Sequence, residues 1–378
     1  MKTKILTLAA LMLGATMFTA CSDDDDNGKG GGVTPPLSEG SGVLVLCTGS
    51  FNNSMYGDLT YYNALTKVAT QEMFTTANGR SLGMTPNTAK IYGNKLYIVV
   101  NGENTVEVVD KTTMKSVKQI SLPALMGTQR GISPREIAAA DGCIYVTLFG
   151  TSGSTGKGSV AVIDTVDFAL VRTFDVGSYP EGIAVVGDRV YVANSNYGMG
   201  GGSITKYNLT TNTSSLIQND ATNNPVDVVA VGDDVYFLDY GTYDASWNQV
   251  DAGVRRLNAN DNVTRVADAT AMSVSGNKIY CIYAPWGRAA KTYSCYDITA
   301  GTDTPLTFEG AELYYPQAIG ADPVTGDIFV ASARQDPDTG YTSYTLPGYV
   351  NHYKADGSFV TTFDCGADPQ VIFFTTAK

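Results

Sequence analysis

The sequence predicts an all-β fold, a seven-bladed β-propeller with four antiparallel strands per blade, and three observations predict it. The first is a recurring segment: a proline heads a short apolar run, a glycine-containing turn follows, and an aromatic residue opens a second apolar run. It reads TPNTAKIYGNKLYIVV from Thr85, SPREIAAADGCIYVTL from Ser133, YPEGIAVVGDRVYVAN from Tyr179 and NPVDVVAVGDDVYFLD from Asn224. In these copies Tyr97, Tyr145, Tyr191 and Tyr236 stand at one fixed distance from Pro86, Pro134, Pro180 and Pro225. The second observation is composition: the runs are rich in Val, Ile, Tyr and Thr, are broken by Gly-Asp, Gly-Asn and Asp-Gly turns, and contain no amphipathic stretch long enough for a helix. The third is that the two ends of the chain are incomplete in complementary ways.

Taken in order, Gly42 to Phe74 reads as three strands, GVLVLCTG, DLTYYNA and KVATQEMF, with no proline-headed strand before them. The next three hairpins are each followed by a second strand pair: TVEVVDKTTMKSVKQISL from Thr105, SVAVIDTVDFALVRTFDV from Ser159 and SITKYNLTTNTSSLIQ from Ser203. Two further copies are degenerate. TAMSVSGNKIYCIY around Thr270 lacks the proline but keeps Gly276 and Tyr280, and YPQAIGADPVTGDIFV from Tyr315 has a longer turn before Phe329. The missing strand lies at the other terminus, where ADPQVIFFTT places Pro369 in the anchor position. The C-terminal strand is therefore expected to complete the first blade and leave no open edge. Anchor spacings of roughly 44 to 53 residues match one four-stranded blade each. Two separate sandwiches are the alternative, and the common phasing weighs against them.

Residues 1–20 combine Lys2 and Lys4 with an apolar run that is too short to span a membrane, as a signal peptide does. FTAC, ending at Cys21, resembles a bacterial lipobox with Phe18 in place of the usual Leu, which implies a lipidated cysteine. SDDDD follows and resembles the acidic signal that exports lipoproteins of some Gram-negative bacteria; NGKGGGVTPPLSEGS then reads as a flexible linker. The expected organisation is a signal peptide (1–20), a lipidated, acidic tether (21–41) and the propeller (42–378). The expected location is the outer membrane, lipid-anchored and facing outward. With 37 acidic against 25 basic residues, a net charge of −12 and no basic stripe, nucleic acid is disfavoured and not expected as a partner.

Chemistry-bearing residues are sparse. His352 is the only histidine and is expected at the surface of an outer strand, so no histidine-based triad is predicted. Glu136, Glu181 and Asp227 lie within two residues of an anchor proline and are able to converge, yet no Asp-rich loop has metal-ligand spacing. No CxxC or Cys/His pattern suggests zinc. Cys281 and Cys295 flank one loop and are candidates for a cross-strand disulfide, although spacing alone cannot assign connectivity. No catalytic residue, metal or cofactor is expected.

In a propeller the innermost strands line a central channel, so the residue after each anchor proline lies near its mouth. These are Asn87, Arg135, Glu181, Val226, Thr270, Gln317 and Gln370, mostly able to hydrogen-bond. The loops between second and third strands open on the same face and carry Phe51, Tyr56, Phe149, Tyr197, Tyr240, Tyr243, Trp247, Trp286, Tyr341 and Tyr344, including both tryptophans. Asn52, Asn53, Asn194, Asn196 and Asn248 interleave with them. Turn solvation and loop packing are the plainer explanations. A ring of aromatics around a polar funnel is otherwise what a large, partly apolar ligand requires.

KLYIVVNGENTVEVVDKTTMKSV and RVYVANSN…GSITKYNLTTNT resemble the YVTN-type repeats of YncE-like seven-bladed propellers over essentially everything after Ser41. VLCTGSFNNSMYGDLTYYNALT, together with the lipobox and SDDDD, further resembles the BtuG-type surface lipoproteins of gut anaerobes. That resemblance implies capture of cobalamin or a related corrinoid as ligand and its delivery to a TonB-dependent outer-membrane transporter. Another ligand, such as a polysaccharide, a haem-like cofactor or a host protein, fits the aromatic loops equally, and a propeller hydrolase is a weaker alternative.

Overall fold

Strands buried on both faces read as nearly continuous apolar runs, and here the middle strands of each blade are of that kind. Lys95–Val100 and Thr105–Asp110 are buried almost throughout, whereas the outermost Ser116–Ser121 is largely exposed. The structure, a computed structural model, describes residues 42–151, 157–289, 291–310 and 312–376. The expected signal peptide, Cys21 lipidation and the whole of the tether lie outside the described residues.

Seven four-stranded antiparallel sheets form the blades. Their innermost strands are Pro369–Phe374, Pro86–Tyr92, Pro134–Ala140, Pro180–Val186, Pro225–Val231, Ala271–Ser275 and Tyr315–Ala321, for blades 1 to 7. The repeated aromatic explains its own phasing, because each copy packs its blade on the next. Tyr97 joins the blade 3 core, Tyr145 that of blade 4, Tyr191 that of blade 5, Tyr236 that of blade 6 and Tyr280 that of blade 7. Phe329 then closes the cycle against Val43, Val45 and Tyr62 of blade 1.

Closure follows the expected course. Pro369–Phe374 pairs antiparallel with Gly42–Cys47, Val45 facing Ile372 and Leu44 facing Phe373. Across the seam Tyr62 stacks on Phe363 at 4.1 Å between centroids. His352 is also there and corrects the surface assignment: it is 2% exposed, stacks on Phe329 at 4.3 Å, and its Nε2 lies 2.8 Å from Asp327 Oδ2. Burial holds its pKa below the ordinary value, against the opposing pull of Asp327. The histidine belongs to the core.

Two other expectations need correction. In KVATQEMF only Val68–Thr70 is strand, and Met73–Asn78 is a short helix. Asp58 accepts the Phe74 N–H at 2.8 Å and the Thr75 N–H at 3.0 Å, satisfying donors that the helix start leaves free. Met73, Phe74 and Ala77 are buried at helical spacing. Cys281 and Cys295 cannot be bridged: Cys281 pairs with Ser294 while Cys295 pairs with Tyr280. Opposed residues share a face and neighbours alternate, so the two thiols point to opposite faces of blade 6.

Because closure rests on buried apolar residues of the last strand, Ile372→Ala is expected to cost about 2–4 kcal/mol in denaturant unfolding. Val117→Ala, on an exposed outer strand, is expected to stay within about 0.5 kcal/mol.

Candidate functional site at the channel mouth

Each proline-headed strand slips register at its start. Pairing jumps from Pro86 to Thr88, from Pro134 to Ile137, from Pro180 to Ile183, from Pro225 to Asp227 and from Pro316 to Ala318. In blade 1 it passes from Pro369 to Val371. Such a bulge frees a residue from the ladder and re-aims its side chain. The freed residues include Asn87, Arg135, Glu181, Val226, Gln317 and Gln370, and with Thr270 they all line one cavity of about 490 Å³. Thr85, Ser133, Tyr179 and Asp368, which precede the prolines of blades 2, 3, 4 and 1, have φ of 52°, 54°, 51° and 56°. That left-handed conformation is unfavourable for side chains of these types. Their carbonyls are held by the N–H groups of Asn101, Phe149, Ser195 and Thr48 at 3.0–3.1 Å.

Deeper in the channel the side chains are ionisable but poorly hydrated. Desolvation pushes Glu136 from 4.5 up to about 8, helped by the charge of Asp227 and opposed by a hydrogen bond with Thr88 and by Arg135. Asp227 is pushed up to about 6 by the same cause, against a Val228 backbone hydrogen bond and Lys90. Burial also lowers Lys90, with Asp227 acting in the other direction. Glu181 is raised by burial although Arg135 Nε donates to its Oε2 at 2.7 Å. Water can touch these groups, yet protein atoms crowd the narrow channel around them, which raises the cost of charge. Gly182 permits that crowding: a Cβ there would lie 2.4 Å from Asp227 Cα. Among the described residues, no three His, Cys, Asp or Glu side chains converge as a metal-ligating set.

The mouth is asymmetric. Beside the main cavity lies a second of about 280 Å³, lined by Tyr240, Tyr243, Gln249, Trp286, Tyr315 and Tyr344, and the two share Tyr240, Thr270, Ala271, Gln317 and Gln370. It opens over blade 6, whose inner strand has no proline and no bulge and contributes the small Ala271, with Ala284 following directly after the second strand. Gln249 secures this side: its Oε1 accepts the Trp286 N–H at 3.1 Å, and its Nε2 donates to the Tyr240 carbonyl at 3.0 Å. Asp368 organises the rim by accepting from Gln317 at 2.6 Å and Gln370 at 2.8 Å. Burial raises Tyr240, and pushes Tyr315 up to about 12, so both phenols are neutral donors.

Of the aromatics named from sequence, Tyr240, Tyr243, Trp286 and Tyr344 gather at this cavity. Phe149 and Tyr197 form a separate row through Tyr179, each at 4.9 Å from it, with Arg135 5.0 Å over the Phe149 ring. Tyr56 lines a different cavity on blade 1. Phe51, Trp247 and Tyr341 are 65%, 74% and 77% exposed and line neither mouth cavity; Trp247 is 6.3 Å from Tyr243. Sequence reasoning passed over Tyr315, Asp368, Gln249 and Lys90. Tyr315 and Asp368 were detectable, since they occupy the position before an anchor proline.

Fold and mouth together define a seven-bladed β-propeller with an asymmetric, ligand-sized funnel over blade 6. No protein-family model and no curated protein matches the chain. Solved structures do. A proposed 6-phosphogluconolactonase from Bacteroides fragilis is 14% identical, with a TM-score of 0.56, over 90% of this chain and 99% of that one. A hypothetical selenium-binding protein from Sulfolobus tokodaii is 10% identical, with a TM-score of 0.56, over 89% and 93%. The dihydro-heme d1 dehydrogenase NirN is 9% identical, with a TM-score of 0.53, over 88% and 75%. At such identities the likeness is one of fold.

Glu136 makes stability depend on pH with a definite sign. Its folded pKa near 8 exceeds the ordinary 4.5, so the folded state holds the proton more tightly. Its destabilising contribution is absent below 4.5, grows as the pH rises and is complete above about 8. Glu136→Gln is expected to raise Tm relative to the parent at a pH of about 8.5 and to change it little at about 4.5, as read by thermal melts.

Proposed function

We propose that the protein is a cell-surface lipoprotein that captures cobalamin or a related corrinoid at the channel mouth and passes it to a TonB-dependent outer-membrane transporter. The observation that carries this reading is the pairing of aromatic faces with side-chain amides around one opening. Tyr240, Tyr243, Trp286 and Tyr344 stand beside Gln317 and Gln370 over the two joined cavities. A wide, rigid macrocycle bearing peripheral amides would lie across such a mouth, its flat parts on the rings and its amides on the glutamines. A closed ring of blades loses little conformational entropy on binding, which favours affinity. The lipobox-like FTAC, the SDDDD run and the resemblance of the first blade support the surface location and the transporter.

A hydrolase is the second reading, favoured by one observation: Glu136, held neutral up to about pH 8, is able to donate a proton inside the channel. It requires ester or lactone turnover that Glu136→Gln abolishes with folding intact.

Calorimetric titration with cyanocobalamin tests the first reading. Saturable one-to-one binding is expected. Trp286→Ala and Gln317→Ala should each weaken it about 10-fold or more, while Tyr341→Ala stays within about 2-fold. Absence of heat and of co-elution at high ligand concentration would overturn the corrinoid assignment, and equal affinity in all variants would overturn the site.

A further inference from the structure

The described residues contain five cysteines, all as free thiols: Cys47, Cys143, Cys281, Cys295 and Cys365. Two of them meet where the ring closes. Cys47 ends the strand Gly42–Cys47 of blade 1, and Cys365 lies in Phe359–Ala367, the outermost strand of blade 7. They share one buried cluster and are 2% and 0% exposed. Gly366 brings the second strand onto the first: a Cβ at that position would lie 2.9 Å from Cys47 Cβ and 3.2 Å from its Sγ. The neighbouring Cys47 thiol, ahead of burial, raises Cys365 well above the ordinary thiol value. The two side chains therefore pack in one cluster, whereas Cys281 and Cys295 belong to different ones.

We infer that Cys47 and Cys365 form a disulfide in the mature protein and lock the ring covalently at its seam. The backbone already holds the two segments together. Thr48 N–H donates to Asp368 O at 3.0 Å, Gly49 N–H donates to Ala367 O at 3.2 Å, and Cys47 stands opposite Pro369 in the closing ladder. A bond at this point fixes the segment that leads directly into the closing strand, and the loop it encloses is nearly the whole propeller. Stabilisation by constraint of the unfolded chain grows with loop length.

The chemistry is thiol–disulfide exchange. One thiolate attacks a sulfur of an oxidant of the disulfide class, such as glutathione disulfide, and expels one glutathione thiolate. The second cysteine then attacks the mixed disulfide and expels the other. Two protein thiols are oxidised to one S–S bond, and one glutathione disulfide is reduced to two glutathione molecules. Because both thiols are buried in the closed ring, exchange takes place as the last blade docks. The oxidising setting rests on the export reading; the bond's capacity to form does not.

Refolding the full chain in a glutathione redox buffer, with alkylation and non-reducing peptide mapping, tests this inference. Most molecules should yield a peptide pair joining Cys47 to Cys365, with Cys143, Cys281 and Cys295 alkylated. Dithiothreitol should lower Tm by roughly 5 °C in the parent and leave a Cys47→Ser, Cys365→Ser double variant unchanged. Complete alkylation of both cysteines after refolding, or linkage of a different pair, would overturn it. Cyanocobalamin titration of the same samples reads the proposed function separately.

Discussion

One backbone ladder supports everything at the mouth: the pairing of Pro369–Phe374 with Gly42–Cys47. A ring of blades has no independent way to hold its last interface, since each blade buries its aromatic against the next. The final strand supplies that hold by belonging to blade 1 in space and following blade 7 in sequence. It brings Tyr62 onto Phe363 and Phe329, and it delivers Asp368 and Gln370 to the rim. The cost of joining the two ends of a long chain rises only logarithmically with length, so a few well-packed residues suffice to offset it.

With the ring closed, the anchor proline determines what the channel presents. Proline has no N–H to give the ladder, and the strand absorbs the missing bond by slipping register beside it. The slip turns one residue toward the axis in blades 1, 2, 5 and 7, and leaves two unpaired after the proline in blades 3 and 4. Six blades do this and the sixth in sequence does not, because it has lost its proline. A ring with perfect repeats would surround its axis evenly; this one has a low wall of Thr270, Ala271 and Ala284, and the aromatic loops of blades 5, 6 and 7 collect above it. The asymmetry of the mouth comes from a defect in the repeat.

The blades were legible from sequence because their signal is periodic and local: a proline, a turn and an aromatic at fixed offsets. The ring of residues after each proline was legible for the same reason. What escaped depends on partners distant in sequence. His352 looks like a surface residue until Tyr62, 290 positions away, comes within 3.3 Å of its Nδ1. Met73–Asn78 looks like strand until Asp58 takes its first N–H groups. Loop aromatics carry no period at all, so composition could not separate Trp286, at the cavity, from Trp247, which is exposed and lines neither mouth cavity. The Cys47–Cys365 contact joins the ends of the domain and has no spacing to read.

The channel's charge bears on what the mouth accepts. A formal charge of −12 suggests a strongly anionic funnel. Desolvation argues otherwise within it, because Glu136 is mostly protonated at neutral pH, Asp227 is pushed up to about 6, and Arg135 pairs with Glu181. A cation bound there would favour the ionised carboxylates and release protons, whereas a neutral, amide-bearing ligand would deepen the desolvation and take protons up. The protonated Glu136 carboxyl and the neutral Tyr240 and Tyr315 phenols are hydrogen-bond donors as well as acceptors, and the glutamine amides are both. That donor–acceptor balance suits carboxamides better than metal ions or phosphates, and it is the physical support for the amide-bearing macrocycle proposed above.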